Sequence, residues 1–100
     1  MKEYIVQINK AFESRVRLGI MSILMVNDSV DFNALKDTLQ ITDGNLASHI
    51  AALEKLKFII INKQFVGKKP QTSYRATLEG RNAFVKHLNA LEKLIKRNKN

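Results

Sequence analysis

The chain contains no cysteine, which excludes disulfides, thiolate metal sites and cysteine nucleophiles together. No apolar run approaches the roughly 18 residues that a membrane span requires. The opening MKEYIVQINK is too polar for a secretory signal, so a cytoplasmic, reducing setting is the expectation. Catalytic pairings are missing as well. The only histidines, His49 and His87, fall on different predicted helices, and no nucleophile–base or carboxylate pair forms a recognisable motif. Neither an enzyme, a cofactor nor a metal site is expected, and nothing in the sequence names a small-molecule effector. Acid is scarce too: 9 Asp and Glu stand against 17 Lys and Arg, a net charge of +8. From Lys57 to Arg75 there is none, although Lys57, Lys63, Lys68, Lys69 and Arg75 all lie there.

What is present describes one globular domain over residues 1–100, with 45% apolar and 26% charged residues. A small domain this basic is attracted to polyanions, nucleic acid more often than membrane. A solubility charge is the bland alternative.

Apolar spacing gives the elements. Ile5, Ile8 and Phe12, then Val16, Ile20, Ile23 and Leu24, recur at helical intervals and predict a long first helix. Gly19 within it suggests close approach by a neighbouring helix. VDF (Val30–Phe32) fits a very short strand, after which Asp31 or Asn33 caps a helix carrying Leu35 and Leu39. Only Gln40, Ile41 and Thr42 separate that helix from the next, so the two form a helix-turn-helix. FIIINKQFV and TSYRAT then read as strands of a hairpin. Gly67 supplies positive φ in its loop, and Pro70 stiffens the return. Thr77 caps a last helix running to about Arg97, with Phe84, Leu88, Leu91 and Ile95 spaced four, three and four apart.

The order is helix, short strand, helix, helix, hairpin, helix. The expected fold is mainly α with a small β-hairpin, a winged helix-turn-helix with long N- and C-terminal helices forming a dimerisation region. The stretch from Phe32 to Phe84 resembles the compact winged-helix transcriptional regulators related to the MarR and ArsR groups. TDGNLASHIAALE, the wing FVGKKPQTSYRAT and the following TLEGR carry the resemblance. It departs at Lys57, where such families often place glycine.

At about 100° per residue, Leu46, Ile50 and Leu53 of the second helix (about 43–56) face the core. Gly44, Ser48, Ala51, Ala52 and Lys55 lie opposite, with Asn45 beside them. A helix entering the major groove needs such a low face, because base edges are read by short, constrained contacts. Asn45 and Ser48 are the leading base-contact candidates, with Gly44, His49 and Ala52 completing the set. On its flank position His49 suits packing with an imidazole hydrogen bond, a base contact being the alternative. Gly44 fits either phosphate approach to the helix N-terminus or a tight-turn requirement. Asp43 suits the helix dipole and Thr42 the N-cap.

In the wing (about 58–76), Lys68 and Lys69 lie at the loop tip and are expected to meet DNA backbone or minor groove, as wings do in the regulators this chain resembles. Gln71, Thr72, Ser73 and Arg75, with Thr42 and Lys55, are the further phosphate candidates. Phe58, Phe65 and Tyr74 read as strand and core residues, not as a stacking platform for RNA.

Phe84, Leu88, Leu91, Leu94 and Ile95 make a seam wider than a small core requires. Residues of about 80–100 are expected to pair with Ile5, Ile8 and Phe12 (about 1–12) of a second chain. Folding back on the first helix of the same chain is the alternative. The function implied is a homodimeric, sequence-specific regulator binding double-stranded DNA at an inverted repeat. The alternative is a winged-helix protein-interaction module.

Overall fold

The computed structural model describes residues 1–98; residues 99 and 100, the end of the expected dimerisation segment, lie outside the described residues. Helix α1 spans Lys2–Ile5, a 3₁₀ turn Lys10–Phe12, and α2 Arg15–Met25. Strand β1 (Val30–Asp31) leads into α3 (Phe32–Leu39) and α4 (Asp43–Lys55). Strands β2 (Ile59–Val66) and β3 (Lys69–Ala76) form the hairpin, and α5 (Leu78–Asn98) ends the described chain. The sheet is antiparallel with order β1-β3-β2. This is the expected mainly α, winged helix-turn-helix fold.

The long first helix is corrected to three pieces. Asn9 is extended and its side chain accepts from the Ala11 amide, starting the 3₁₀ turn. Ser14 is extended as well, and its hydroxyl accepts from the Arg17 amide to start α2. Both side chains offer the backbone an alternative to a continuous helix, and the apolar period runs straight through the breaks. As a result Ile5, Ile8 and Phe12 share no helical face.

The helix-turn-helix is set locally. Asp31 caps α3 through the Ala34 amide, at 2.8 Å. Gln40 ends α3 in the left-handed region. Thr42 then caps α4, its Oγ1 accepting from the Asn45 amide at 3.1 Å. Lys57, where the regulators it resembles often have glycine, has φ 63 and so adopts the conformation a glycine would favour. Its amide donates to the Glu54 carbonyl and that of Phe58 to Leu53, the paired bonds of a Schellman ending.

The core gathers Val16, Ile20, Met21 and Leu24 of α2, Leu35 of α3, and Leu46, Ile50 and Leu53 of α4. Ala11 and Phe12 of the 3₁₀ turn, Phe58 just before β2, Ile59, Tyr74 and Ala76 of the hairpin and Phe84 of α5 complete it. Gly19 lies against Leu39 of α3, the close helix approach its position implied. Thr77 fastens α5 to the end of α4. Its hydroxyl donates to the Lys57 carbonyl at 2.7 Å and accepts from the Gly80 amide at 2.9 Å, and its own amide donates to the Phe58 carbonyl. Arg81 reaches back to the end of α2, donating from both terminal nitrogens to the Leu24 and Met25 carbonyls at 3.1 and 3.2 Å.

The N-terminal segment is held to α5 by His87. This ring is 3% exposed, packs against Phe12 and Phe84, and accepts at Nδ1 from the Asn9 amide at 3.1 Å. Burial lowers the His87 pKa, with Glu13 opposing, and burial with Arg17 lowers that of His49. A folded pKa below the unfolded one means protonation favours the unfolded chain. Stability should therefore be full above the ordinary histidine value of about 6.5 and fall as pH drops below it. Urea melts between about pH 7.5 and pH 5 check this. In His87→Gln the acid loss should be shallower.

Candidate nucleic-acid interface

The α4 face opposite the core is low and open. Leu46, Ile50 and Leu53 are buried, whereas Gly44, Asn45, Ala47, Ser48, Ala51 and Lys55 are exposed and Ala52 is half-buried. Gly44 has no neighbour within 4 Å of an added Cβ and no positive φ. The fold gives it no tight-turn duty, which leaves the backbone at the start of α4 open to approach. Asp43 ion-pairs with Lys36 of α3 at 2.8 Å. That hydrogen bond raises the Lys36 pKa, and the pair fastens the two helices across the turn. The Asp43 carboxylate at the start of α4 thereby has its charge compensated.

His49 makes the imidazole hydrogen bond its flank position suggested. Its donor is Arg17 of α2, whose Nε lies 3.1 Å from His49 Nδ1. Arg17 carried no sequence signal, because it is 32 positions away and breaks no apolar pattern.

The wing is tighter than the loop of residues 67–71 left between the two expected strands. Val66 pairs with Lys69, so only Gly67 and Lys68 turn the chain, and Pro70 lies within β3 opposite Phe65. Gly67 has φ +67, which a side chain at the first of two hairpin-loop positions rarely adopts. Lys68 and Lys69 occupy the tip, and Lys63 pairs opposite Thr72. Gln71 and Thr72 are half-buried just behind.

Two wing candidates do not join that tip. Ser73 is 6% exposed, lies between Asn62 and Asp31 in the sheet, and its hydroxyl has no hydrogen-bond partner among the described residues. Covered in this way it cannot reach a phosphate. Arg75 is exposed, but it sits at the base of the hairpin near Asp28, Ile60, Leu78 and Arg81. At about 3.3 Å per residue, six positions carry it roughly 20 Å along β3 from Lys69. The acid-free stretch is thus spread along the hairpin. Phe58 and Tyr74 are buried as expected, but Phe65 at the tip is 74% exposed, beside exposed Val66. The strand pattern ran on past the point where a core lies beneath it.

At the other end, α5 and α1 form an arm. The principal extents are 58 × 25 × 21 Å. The radius of gyration is 15.2 Å, against about 13 Å for a compact chain of this length. Phe12 and Phe84, expected at the dimer seam, are instead 2% and 3% exposed and pack edge-to-face in the chain's own core. Ile5, Leu88 and Ile95 are exposed, while Ile8, Leu91 and Leu94 are half-buried. On the helical wheel Leu88, Leu91 and Ile95 fall within about 60° of one another, beside the His87–Ala90 face that the chain itself covers.

Comparison with known proteins gives the class. Residues 16–95 match a family described as a winged helix DNA-binding domain. The chain belongs to that family, and its resemblance to MarR/ArsR-like transcriptional regulators is borne out. It is 34% identical over 87 residues to an uncharacterized protein of Methanocaldococcus jannaschii, covering 87% of this chain and 95% of the other. The structure of a transcriptional regulator homologue from Pyrococcus horikoshii OT3 superposes with a TM-score of 0.86. Its identity is 29%, and 96% of each chain is covered. Staphylococcus aureus MepR, solved as a DNA complex, shares the fold at 14% identity and TM-score 0.74, over 99% of this chain and 82% of that one.

Proposed function

We propose that the protein is a homodimeric regulator of transcription that binds double-stranded DNA sequence-specifically in the cytoplasm. Helix α4 enters the major groove, Asn45 and Ser48 read bases, and the wing lysines engage the backbone or minor groove. One observation carries this reading: the outward face of α4 is exposed, small and polar, with basic groups on the neighbouring wing tip. A face built to dock protein would carry aromatic or aliphatic anchors there. The domain family and the DNA complex of MepR point the same way. The arm of α1 and α5 supplies the dimer contact. A two-fold pair then sets its α4 helices one DNA turn apart, about 34–36 Å, and selects an inverted repeat.

The second reading, a protein-docking module, is favoured by exposed Phe65 and Val66 at the wing tip. Selection from random duplex DNA separates the two. An enriched inverted repeat is expected. On that duplex Ser48→Ala should relax preference at one position per half-site. Lys68→Ala with Lys69→Ala should weaken all sequences alike and flatten the salt slope by about 0.9 for each phosphate no longer neutralised. No enriched motif, with binding insensitive to these changes, would favour docking.

A further inference from the structure

Arg17 lies outside both the reading face and the wing, yet its setting is that of a ligand-binding cation. Its Nε donates to His49 Nδ1 at 3.1 Å, across from α2 to the flank of α4. His49 follows Asn45 by one helical turn and precedes Ala52 by another, so the guanidinium is fixed alongside the reading helix. The Nε bond uses one of its five N–H groups. Among the described residues no carboxylate pairs with Arg17.

The nature of the partner matters. An Asp or Glu at position 49 would orient the guanidinium and also cancel its charge. A neutral imidazole orients it and leaves the charge intact. Burial and the Arg17 charge itself both lower the His49 pKa, which keeps the acceptor available at neutral pH. The outcome is a half-buried arginine with a fixed Nε, terminal donors that bond nothing among the described residues and undiminished charge, beside a helix that presents small polar groups outward.

We infer that Arg17 is a phosphate-binding residue of the DNA interface and that His49 is its positioning residue. The inference rests on the DNA reading above and adds a contact from a helix outside the helix-turn-helix pair. An arginine held in this way loses little side-chain freedom on binding a phosphate and can do so through two parallel N–H donors. The wing lysines must be ordered at the moment of contact.

The test is the salt dependence of affinity for the selected duplex, in wild type, Arg17→Gln, Arg17→Lys, His49→Ala and the Arg17→Gln/His49→Ala double variant. Thermal melts establish that each variant is folded. Arg17→Gln should weaken binding and lower the slope of log K against log salt by about 0.9 per chain. Arg17→Lys should restore the slope without the full affinity. His49→Ala should weaken binding in the wild-type background and have no further effect beside Arg17→Gln. If Arg17→Gln does not fold, the wild-type Arg17 side-chain NMR signals carry the test, and they should shift on titration with the duplex. A folded Arg17→Gln with an unchanged slope, or Arg17 signals indifferent to DNA, overturns the phosphate contact. A His49→Ala effect of equal size in both backgrounds overturns the positioning role. Wild type with no affinity for any duplex overturns the DNA reading itself, and this inference with it.

Discussion

Gly80→Ala should destabilise the fold more than alanine at Gly19, Gly44 or Gly67. A Cβ at this position would lie 2.1 Å from the Phe58 carbonyl oxygen and 2.8 Å from two further backbone atoms of Phe58. Backbone cannot swing aside as a side chain does. The two segments are also tied together at this point by Thr77, which bonds to Lys57, Phe58 and Gly80. Relieving the clash therefore means lifting the start of α5 from the end of α4. We expect a loss of about 3 kcal/mol, which for a domain of this size lowers Tm by at least about 10 °C. Gly44→Ala is the control, since its Cβ meets nothing within 4 Å. There the helix gains roughly 0.5–1 kcal/mol and Tm should stay or rise. Thermal melts of both variants suffice.

The second large effect concerns assembly. Leu88→Lys with Ile95→Lys places two charges on an exposed strip of α5, where Ile95 is 60% accessible in the single chain. Neither side chain belongs to the hydrophobic core, so circular dichroism should be unchanged. Sedimentation should move from a two-chain mass to the 11.4 kDa of one chain. Affinity for a two-half-site duplex should then fall by at least about a hundredfold, because the second half-site is no longer bound intramolecularly. Phe84→Lys would not make this test. Phe84 belongs to the internal core, and its loss would unfold the chain.

The parts of the fold legible in the sequence were those written locally. Thr42 and Thr77 each cap the helix their position announced, Asp31 is the one of the pair Asp31 and Asn33 that caps α3, and Gly67 takes the positive φ its loop demanded. The core face of α4 followed from period alone. The break between α1 and α2 was hidden because Ile5, Ile8, Phe12 and Val16 keep a helical rhythm across it. In that segment the capping side chains of Asn9 and Ser14 override periodicity. Ser73 alternates with Tyr74 as an outward residue would, yet β1 pairs beside it and closes it off. Arg17 to His49, Arg81 to the end of α2, and Asn9 to His87 are contacts between distant segments. No spacing rule announces contacts of that kind. The low, exposed face of α4 was therefore visible beforehand, whereas the arginine bonded to His49 on its flank was not.

The central claim is that this surface distinguishes sequences and is not merely basic. The most direct measurement is the ratio of dissociation constants for the selected duplex and a scrambled duplex of equal length. Both are taken at one physiological salt concentration. Sequence-specific binding by a dimer predicts a ratio of at least about a thousandfold. A ratio near one would contradict the claim, because a net charge of +8 alone then explains the attraction to DNA.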